Sequence, residues 1–175
     1  MPEYDIDFAQ CLCDTAHLVL DKGINSQEED RTVLYLSLLS VEISLKAILE
    51  KAGKPVSGIK ARSHDLSGLL KDVCQCTILS EVTKGKQMRI RATEIRSVVV
   101  SKNKWNGTIG GLIELAKKEA SKYPNGIRYG DVFRYYPADI AANMAKQVAT
   151  WGKEHWNTIQ IASSDEDVIG DNGSR

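Results

Sequence analysis

Three histidines are the residues of this chain best suited to proton transfer near neutral pH: His17, His64 and His155. His64 stands in the stretch Ser63-His64-Asp65, which opens a predicted helix with Ser63 as its N-cap and an acid in its first turn. We consider two interpretations of this stretch. In one, His64 and Asp65 serve capping and the start of the helix. In the other, His64 lies in a cleft shared with other elements.

Two basic stretches could contact phosphate groups. The region 84–104 has seven basic residues and one acid, Glu94, and the region 127–136 mixes arginine with tyrosine. Arginine and tyrosine planes suit base stacking and phosphate binding, and they equally suit packing of a loop over a bundle end. The basic residues of 84–104 fit a solvated helix face, a phosphate-binding surface, or docking against the acidic residues 1–30 of a partner subunit. The predicted nucleic-acid-binding residues are Arg89, Arg91, Arg96, Arg128, Arg134 and Tyr135.

A long central helix must position these groups. Ser26 and Glu29 have capping-box spacing, and Gly53 is placed as a left-handed C-cap. Apolar residues between them lie almost all the way round, which predicts a helix covered on several sides. Glu42 and Lys46 stand four apart, as an ion pair on one helix face does. The apolar run is too short for a bilayer, so no membrane span is predicted.

The remaining segments also have helical spacing. A first helix is predicted over 6–22, a short one after Ser63, one with a weak end over 80–104, one capped by Thr108, and a last one over 138–159. In the 80–104 segment the helical positions are Met88, Ala92, Ile95, Val98 and Val99, although Val98 to Val100 alone would suit a strand. The sequence therefore predicts an all-α, up-and-down bundle of five to six helices in one domain, residues 1–162. Residues 163–175 are predicted to be a disordered acidic tail.

At this point the chain resembles a known family. A helix ending SVEISLKAILEKAG, followed by a loop and SHDLSGLL, is similar to the HEPN domain (higher eukaryotes and prokaryotes nucleotide-binding), whose second helix carries Glu-x-x-x-Lys ahead of His-Asp-Leu. The later IRYGDVFRYYPADIA resembles the Arg-Tyr turn before the last helix of many members. The resemblance covers roughly residues 6–161 and implies a helical bundle that forms a homodimer.

The family includes metal-independent ribonucleases, in which an Arg-x₄₋₆-His motif from both subunits of a dimer faces one cleft. None of the three histidines here has an arginine at that distance upstream, so the motif is absent. A displaced pair, in which Arg128 or Arg134 meets His64 in space, stays open. These three residues are the weak catalytic candidates, and no catalytic residue is assigned.

Composition sets further bounds. The chain is 42% apolar with zero formal net charge, and its N-terminus lacks the features of a secretory signal, which predicts a cytoplasmic protein. Cys11/Cys13 and Cys74/Cys76 have one-residue spacing, which favours thiols over a zinc site. No phosphate-binding loop, dinucleotide fingerprint, zinc-protease pair or nucleophile elbow is present, so no cofactor or metal is predicted.

The leading functional prediction is a non-catalytic HEPN-like binding or assembly module. It would recognise RNA, a nucleotide or a partner protein, in a bacterial defence or toxin–antitoxin setting. The first alternative is a metal-independent ribonuclease with a displaced Arg/His pair at a dimer cleft. The second is a dimerising scaffold without a nucleic-acid role.

Overall fold

The structure, a computed structural model, describes residues 2–24, 26–83, 86–102, 105–119, 122–132, 134 and 136–162. The predicted tail and Tyr135 lie outside these residues. Six α-helices are described: α1 Ile6–Asp21, α2 Gln27–Lys51, α3 Val56–Lys60, α4 Leu66–Cys74, α5 Ile109–Lys118 and α6 Ala138–Glu154. The described strands are β1 Cys76–Thr83, β2 Lys86–Arg91, β3 Val99–Lys102, β4 Trp105–Thr108 and β5 Gln160–Ile161.

Helix α2 is the centre of the core, packed by α1 on one side and α6 on another. Its predicted ends are confirmed: Ser26 and Glu29 form the capping box, and Gly53 has a φ of +99°. The carboxylate of Glu50, near the end of α2, accepts bonds from backbone N–H groups just before α1, so the two helices run antiparallel. A Cβ at Gly152 of α6 would stand 2.8 Å from Ile48 Cδ1 of α2, so a larger residue there would displace the end of the Ile48 side chain.

Among the described helices, α2 is the one that is long and apolar enough to cross a bilayer by length and composition. Most of its most apolar window is buried inside the fold. The core helix of a protein outside the membrane meets the same criterion. The absence of a membrane span and the cytoplasmic location therefore stay predictions.

The predicted all-α class is wrong, because the chain also forms two antiparallel sheets. One has the strand order β2-β1-β5 and the other pairs β3 with β4. The predicted helix over 80–104 is replaced by strands and by a 3₁₀ helix, Ala92–Ser97. Of the positions with helical spacing, Ala92 and Ile95 are buried in that short helix, whereas Met88 lies in β2 and Val99 in β3. The result is a mainly helical α and β domain.

The last helix is also shorter than predicted. Helix α6 ends at Glu154, and the chain then turns so that β5 pairs with the start of β1. Thr77 faces Gln160, and Cys76 faces Ile161. Pairing between distant strands leaves no periodic pattern in the sequence. The apolar spacing therefore predicted a helix that continues to residue 159.

Candidate functional site

The candidate site is built on Glu42, a carboxylate in the middle of the buried helix α2. Only 4% of Glu42 is exposed, and Lys46, one turn later, is 7% exposed. Lys46 Nζ donates a 2.7 Å hydrogen bond to Glu42 Oε1. The predicted pair is confirmed, and it lies inside the protein, where each charge depends on the other for compensation.

His64 reaches the same carboxylate from the segment before α4. Its Nδ1 lies 2.9 Å from Glu42 Oε2, while half of its side chain is exposed. The predicted cap at Ser63 is wrong: Ser63 has a φ of +48°, and Asp65 caps α4 by accepting a 2.9 Å bond from the N–H of Gly68. Asp65 therefore begins the helix, as the first interpretation expects of it, while His64 contacts Glu42 and lines a small cavity.

Tyr123, for which the sequence predicts no role, completes the cluster. Its hydroxyl donates a 2.7 Å bond to Glu42 Oε2, and its ring lies edge-on to His64 with the centroids 6.0 Å apart. Tyr123 follows α5 inside an irregular helical turn, Lys122–Gly126, and precedes a cis proline. Nothing in the local sequence connects it with a glutamate 81 positions earlier.

The cluster fixes the protonation states of its acid and its phenol. Burial raises the pKa of the Glu42 carboxyl, but hydrogen bonds from Lys46, Tyr123 and His64 outweigh burial, and the pKa lies below its ordinary value. Burial and the adjacent negative charge of Glu42 raise the pKa of Tyr123. Glu42 is therefore an ionised acceptor of three bonds, and Tyr123 is a protonated donor.

A small cavity of about 40 Å³, which we call the His64 notch, opens beside the cluster. It is enough for a water molecule or the edge of an oxyanion, but not for a base. Lys117 and Ser67 contribute to its wall, and Ser67 Oγ donates a 3.1 Å bond to Glu114. The notch is lined by His64, Asp65, Leu66, Ser67, Ile113, Ala116, Lys117 and Tyr123.

A larger cavity of about 330 Å³, which we call the Arg128 groove, adjoins the cluster through Tyr35. The Tyr35 and Tyr123 rings have centroids 6.5 Å apart. On the groove side, Arg128 Cζ lies 5.2 Å from the Tyr35 centroid, and Arg128 Nε donates a 2.9 Å bond to the Tyr35 hydroxyl. The groove is lined by Glu28, Arg31, Thr32, Tyr35, Leu36, Ile127 and Arg128.

The structure thus connects two predicted site residues, His64 and Arg128, through a chain of aromatic contacts. Arg31 holds this wall by donating to the carbonyl oxygens of Ile127, at 3.0 Å, and of Arg128, at 2.8 Å. Arg134 is exposed, and its backbone N–H donates a 2.8 Å bond to the Glu119 carboxylate. No described contact joins Arg134 to His64.

The arginines predicted from region 84–104 do not share one surface role. Arg89 donates to the carbonyl oxygen of Thr158, and Arg91 donates to that of Gln75, so both fasten β2 to neighbouring chain segments. Arg96 forms a 3.8 Å ion pair with Glu114, which is also the partner of Ser67 in the notch wall. Arg96 is therefore linked to the notch indirectly, through Glu114 and Ser67.

A second buried carboxylate, Asp72 of α4, has a different environment. Arg62 donates to it in a bidentate manner, Nη2 to Oδ1 at 2.7 Å and Nε to Oδ2 at 2.8 Å, and Lys54 also binds Oδ2. Burial raises the pKa of Asp72, but the bonds from Arg62 and Lys54 outweigh burial and leave the pKa below its ordinary value. This cluster ties the loop after α2 to α4.

The described residues contain no group of three or more His, Cys, Asp or Glu side chains placed to hold a metal ion. All four cysteines are free thiols, and Cys11 is exposed, whereas burial raises the pKa of Cys13 and of Cys76 to about 11. No family model, characterised protein or solved structure matches this chain. The resemblance to the HEPN family and the homodimer stay predictions.

Proposed function

We propose that this chain is a HEPN-like RNA-binding module that holds single-stranded RNA across the His64 notch and the Arg128 groove. The observation that carries the proposal is the continuous contact His64–Tyr123–Tyr35–Arg128, which joins an exposed histidine to an exposed arginine. These side chains come from three separate segments of the chain: α2, the residues before α4, and the turn after α5. Packing of the protein core does not require the half-exposed imidazole of His64 and the exposed guanidinium of Arg128 at the two ends of this chain of contacts.

Cations and acids both line this face, and its acids are Asp65 in the notch, which accepts a hydrogen bond from the N–H of Gly68, and Glu28 in the groove. Lys46 compensates the negative charge of Glu42 inside the protein, so the cluster does not present an uncompensated carboxylate to an anion. Lys117 in the notch wall and Arg128 in the groove then supply one exposed positive charge in each cavity. A phosphate near the notch would meet one cation from each cavity.

Aromatic groups beside these cations favour unpaired bases. Tyr129 follows Arg128 and is 86% exposed. An exposed tyrosine and an arginine plane offer stacking surfaces that single-stranded RNA uses and a duplex does not. We therefore favour single-stranded RNA over double-stranded nucleic acid as the ligand.

Metal-independent RNA cleavage is the second candidate function. It is favoured by the bond between His64 Nδ1 and the ionised Glu42, which orients the ring so that Nε2 can face the notch. His64 Nε2 would take the proton of a ribose 2′-hydroxyl. The 2′-oxygen would then attack the adjacent phosphorus to form a cyclic phosphate, and the leaving 5′-oxygen would take a proton from water. Arg128 or Lys117 would stabilise the negative charge of the transition state.

One gel separates the two functions. The protein is incubated with mixed cellular RNA in a chelator at several salt concentrations, and both retardation and cleavage are read. The binding proposal expects intact, retarded RNA whose retardation weakens steeply with salt. Cleavage that is lost in His64→Ala would establish the nuclease instead.

Matched variants locate the surface on the same gel. We expect Arg128→Gln to weaken retardation, whereas Lys153→Gln, which removes a lysine paired with Asp7 at the start of α1, should not. RNA that is neither retarded nor cleaved at low salt would contradict both functions and leave a dimerising scaffold.

A further inference from the structure

We infer that the Arg128 groove is a guanine subsite, in which the carboxylate of Glu28 reads the base edge that carries two adjacent N–H donors. This inference rests on the proposed function, because it assigns the base whose phosphate lies at the His64 notch. Glu28 is the acid that lines the groove. The sequence predicts no role for Glu28. The hydrogen bonds of the Glu42 cluster do not include it.

The groove has the size and walls of a base site. Its volume of about 330 Å³ is at the lower end of the range of ligand pockets, roughly 300–1,000 Å³. Glu28, Thr32 and Tyr35 are at positions i, i+4 and i+7 of α2 and so form one wall. Ile127 and Arg128 form the other wall. The Arg128–Tyr35 bond joins the two walls, so a planar ligand in the groove contacts the outer face of this pair and the aliphatic surface of Ile127.

The acceptor chemistry of Glu28 selects among the bases. An ionised carboxylate has two acceptor oxygens and no donor. Guanine presents two neighbouring donors, N1–H and the N2 amino group, which match the two oxygens. Adenine and cytosine each place a ring-nitrogen acceptor beside their amino group, and uracil flanks its N3–H with two carbonyl oxygens. Each of these three bases would set an acceptor against a carboxylate oxygen, which is unfavourable.

The remaining polar groups of the groove are consistent with this assignment. The hydroxyl of Thr32 donates to the backbone carbonyl oxygen of Glu28 at 2.7 Å, so it adds no competing donor toward the base. Both Glu28 and Thr32 are exposed, and Arg31 is occupied with the carbonyl oxygens of the opposite wall. Arg128 donates from Nε to the Tyr35 hydroxyl, so these two groups are also paired within the wall, and the Glu28 carboxylate is the group that we assign to the base edge.

The test uses fluorescence anisotropy with four eight-nucleotide RNAs, each all uridine except for one central G, A, C or U. The inference expects the G oligonucleotide to bind the wild-type protein at least about tenfold more tightly than the others, the size of a good bidentate contact. Competition with GMP and AMP distinguishes a base within a strand from a free nucleotide. GMP that competes as well as the G oligonucleotide would assign the subsite to the free nucleotide.

The informative variant is Glu28→Gln, whose amide has one donor and one acceptor. We expect it to lose the guanine preference and to gain affinity for the A oligonucleotide, since glutamine pairs in a bidentate manner with adenine. Glu154→Gln, at an exposed acid at the end of α6, is the control and should keep the preference. Circular dichroism confirms that each variant is folded.

The failures are distinguishable. If all four oligonucleotides bind equally to the wild-type protein, the guanine subsite is wrong and RNA binding stands. A preference for G that survives Glu28→Gln also contradicts the inference, because another group must then read the base. If neither oligonucleotides nor GMP bind at low salt, the proposed function itself fails.

Discussion

Glu42 and Asp72 are two carboxylates with side chains equally buried, each 5% exposed, yet their partners differ in kind. Both bonds of Arg62 and that of Lys54 go to Asp72, so a guanidinium and an amino group of basic side chains occupy its oxygens. Glu42 has one such cation, Lys46, and shares its other oxygen between a phenol and a half-exposed imidazole. Burial of an acid alone therefore does not identify a functional site, and our proposal of one at Glu42 rests on the half-exposed imidazole beside the His64 notch.

The largest expected effect on stability is that of Glu42→Gln. This change leaves Lys46 as a buried charge without a counter-charge, and we expect the free energy of unfolding to fall by about 3–5 kcal/mol. Urea unfolding at pH 7 measures it. A loss below about 1 kcal/mol would mean that Lys46 reaches water when its partner is removed, and the cluster would not be tightly held.

Asp72→Asn should destabilise less, on the order of 1–3 kcal/mol. Its partners Lys54 and Arg62 are 25% and 40% exposed, so they can turn toward water when the charge is lost. The same urea experiment gives the value. A loss of unfolding free energy in Asp72→Asn as large as that in Glu42→Gln would contradict the comparison. Both acids would then have the same structural role.

Tyr123→Phe removes a donor to Glu42 and keeps the ring. We expect a loss of about 1.5 kcal/mol in unfolding free energy, the lower end for a hydrogen bond to a charged group. The pKa of Glu42 should also move up, which would be visible by NMR titration of its carboxyl carbon. An unchanged pKa would show that Lys46 and His64 alone hold the carboxylate ionised.

Acid pH should weaken both clusters gradually. The native pKa values of Glu42 and Asp72 lie below the ordinary values of 4.5 and 3.8, so each contributes stability above its ordinary pKa and loses it as pH falls through its native pKa. Each group accounts for at most about 1.4 kcal/mol per pH unit. Unfolding free energies measured from pH 6 to pH 3 should decline, and less so in Glu42→Gln and Asp72→Asn. A decline in unfolding free energy toward pH 3 that is as steep in the two variants as in the wild-type protein would contradict these shifts.

The sequence predicted the parts of this molecule that are determined locally. A capping box and a glycine C-cap are interactions within one turn, so both ends of α2 were predicted correctly. The sheets were missed because Ala92 and Ile95 have helical spacing within a 3₁₀ helix, while β1 is stabilised by pairing with β2 and with the distant β5. Strand pairing depends on partners that periodicity does not reveal.

The candidate site was likewise predicted only where its signals are local in the sequence. A charged pair inside an apolar helix, Glu42 and Lys46, was a usable signal, and His64 was singled out as a titratable residue near a helix start. Tyr35 and Tyr123 were missed, since their roles arise only when α2 and the turn after α5 come together. Arg89 and Arg91 were predicted from charge clustering, but their contacts fasten the sheet.

The central claim, that the Glu42 cluster is a site and the Asp72 cluster a tie, is tested most directly by comparing His64→Ala with Asp72→Asn in one affinity measurement. Single-stranded RNA affinity is measured by fluorescence anisotropy at low salt, alongside the unfolding free energy of each variant. We predict at least about a tenfold loss of affinity for His64→Ala with little loss of stability, because half of that side chain is already exposed. Asp72→Asn should lose stability and keep its affinity. Wild-type affinity in His64→Ala, or an equal loss in Asp72→Asn, would contradict the claim.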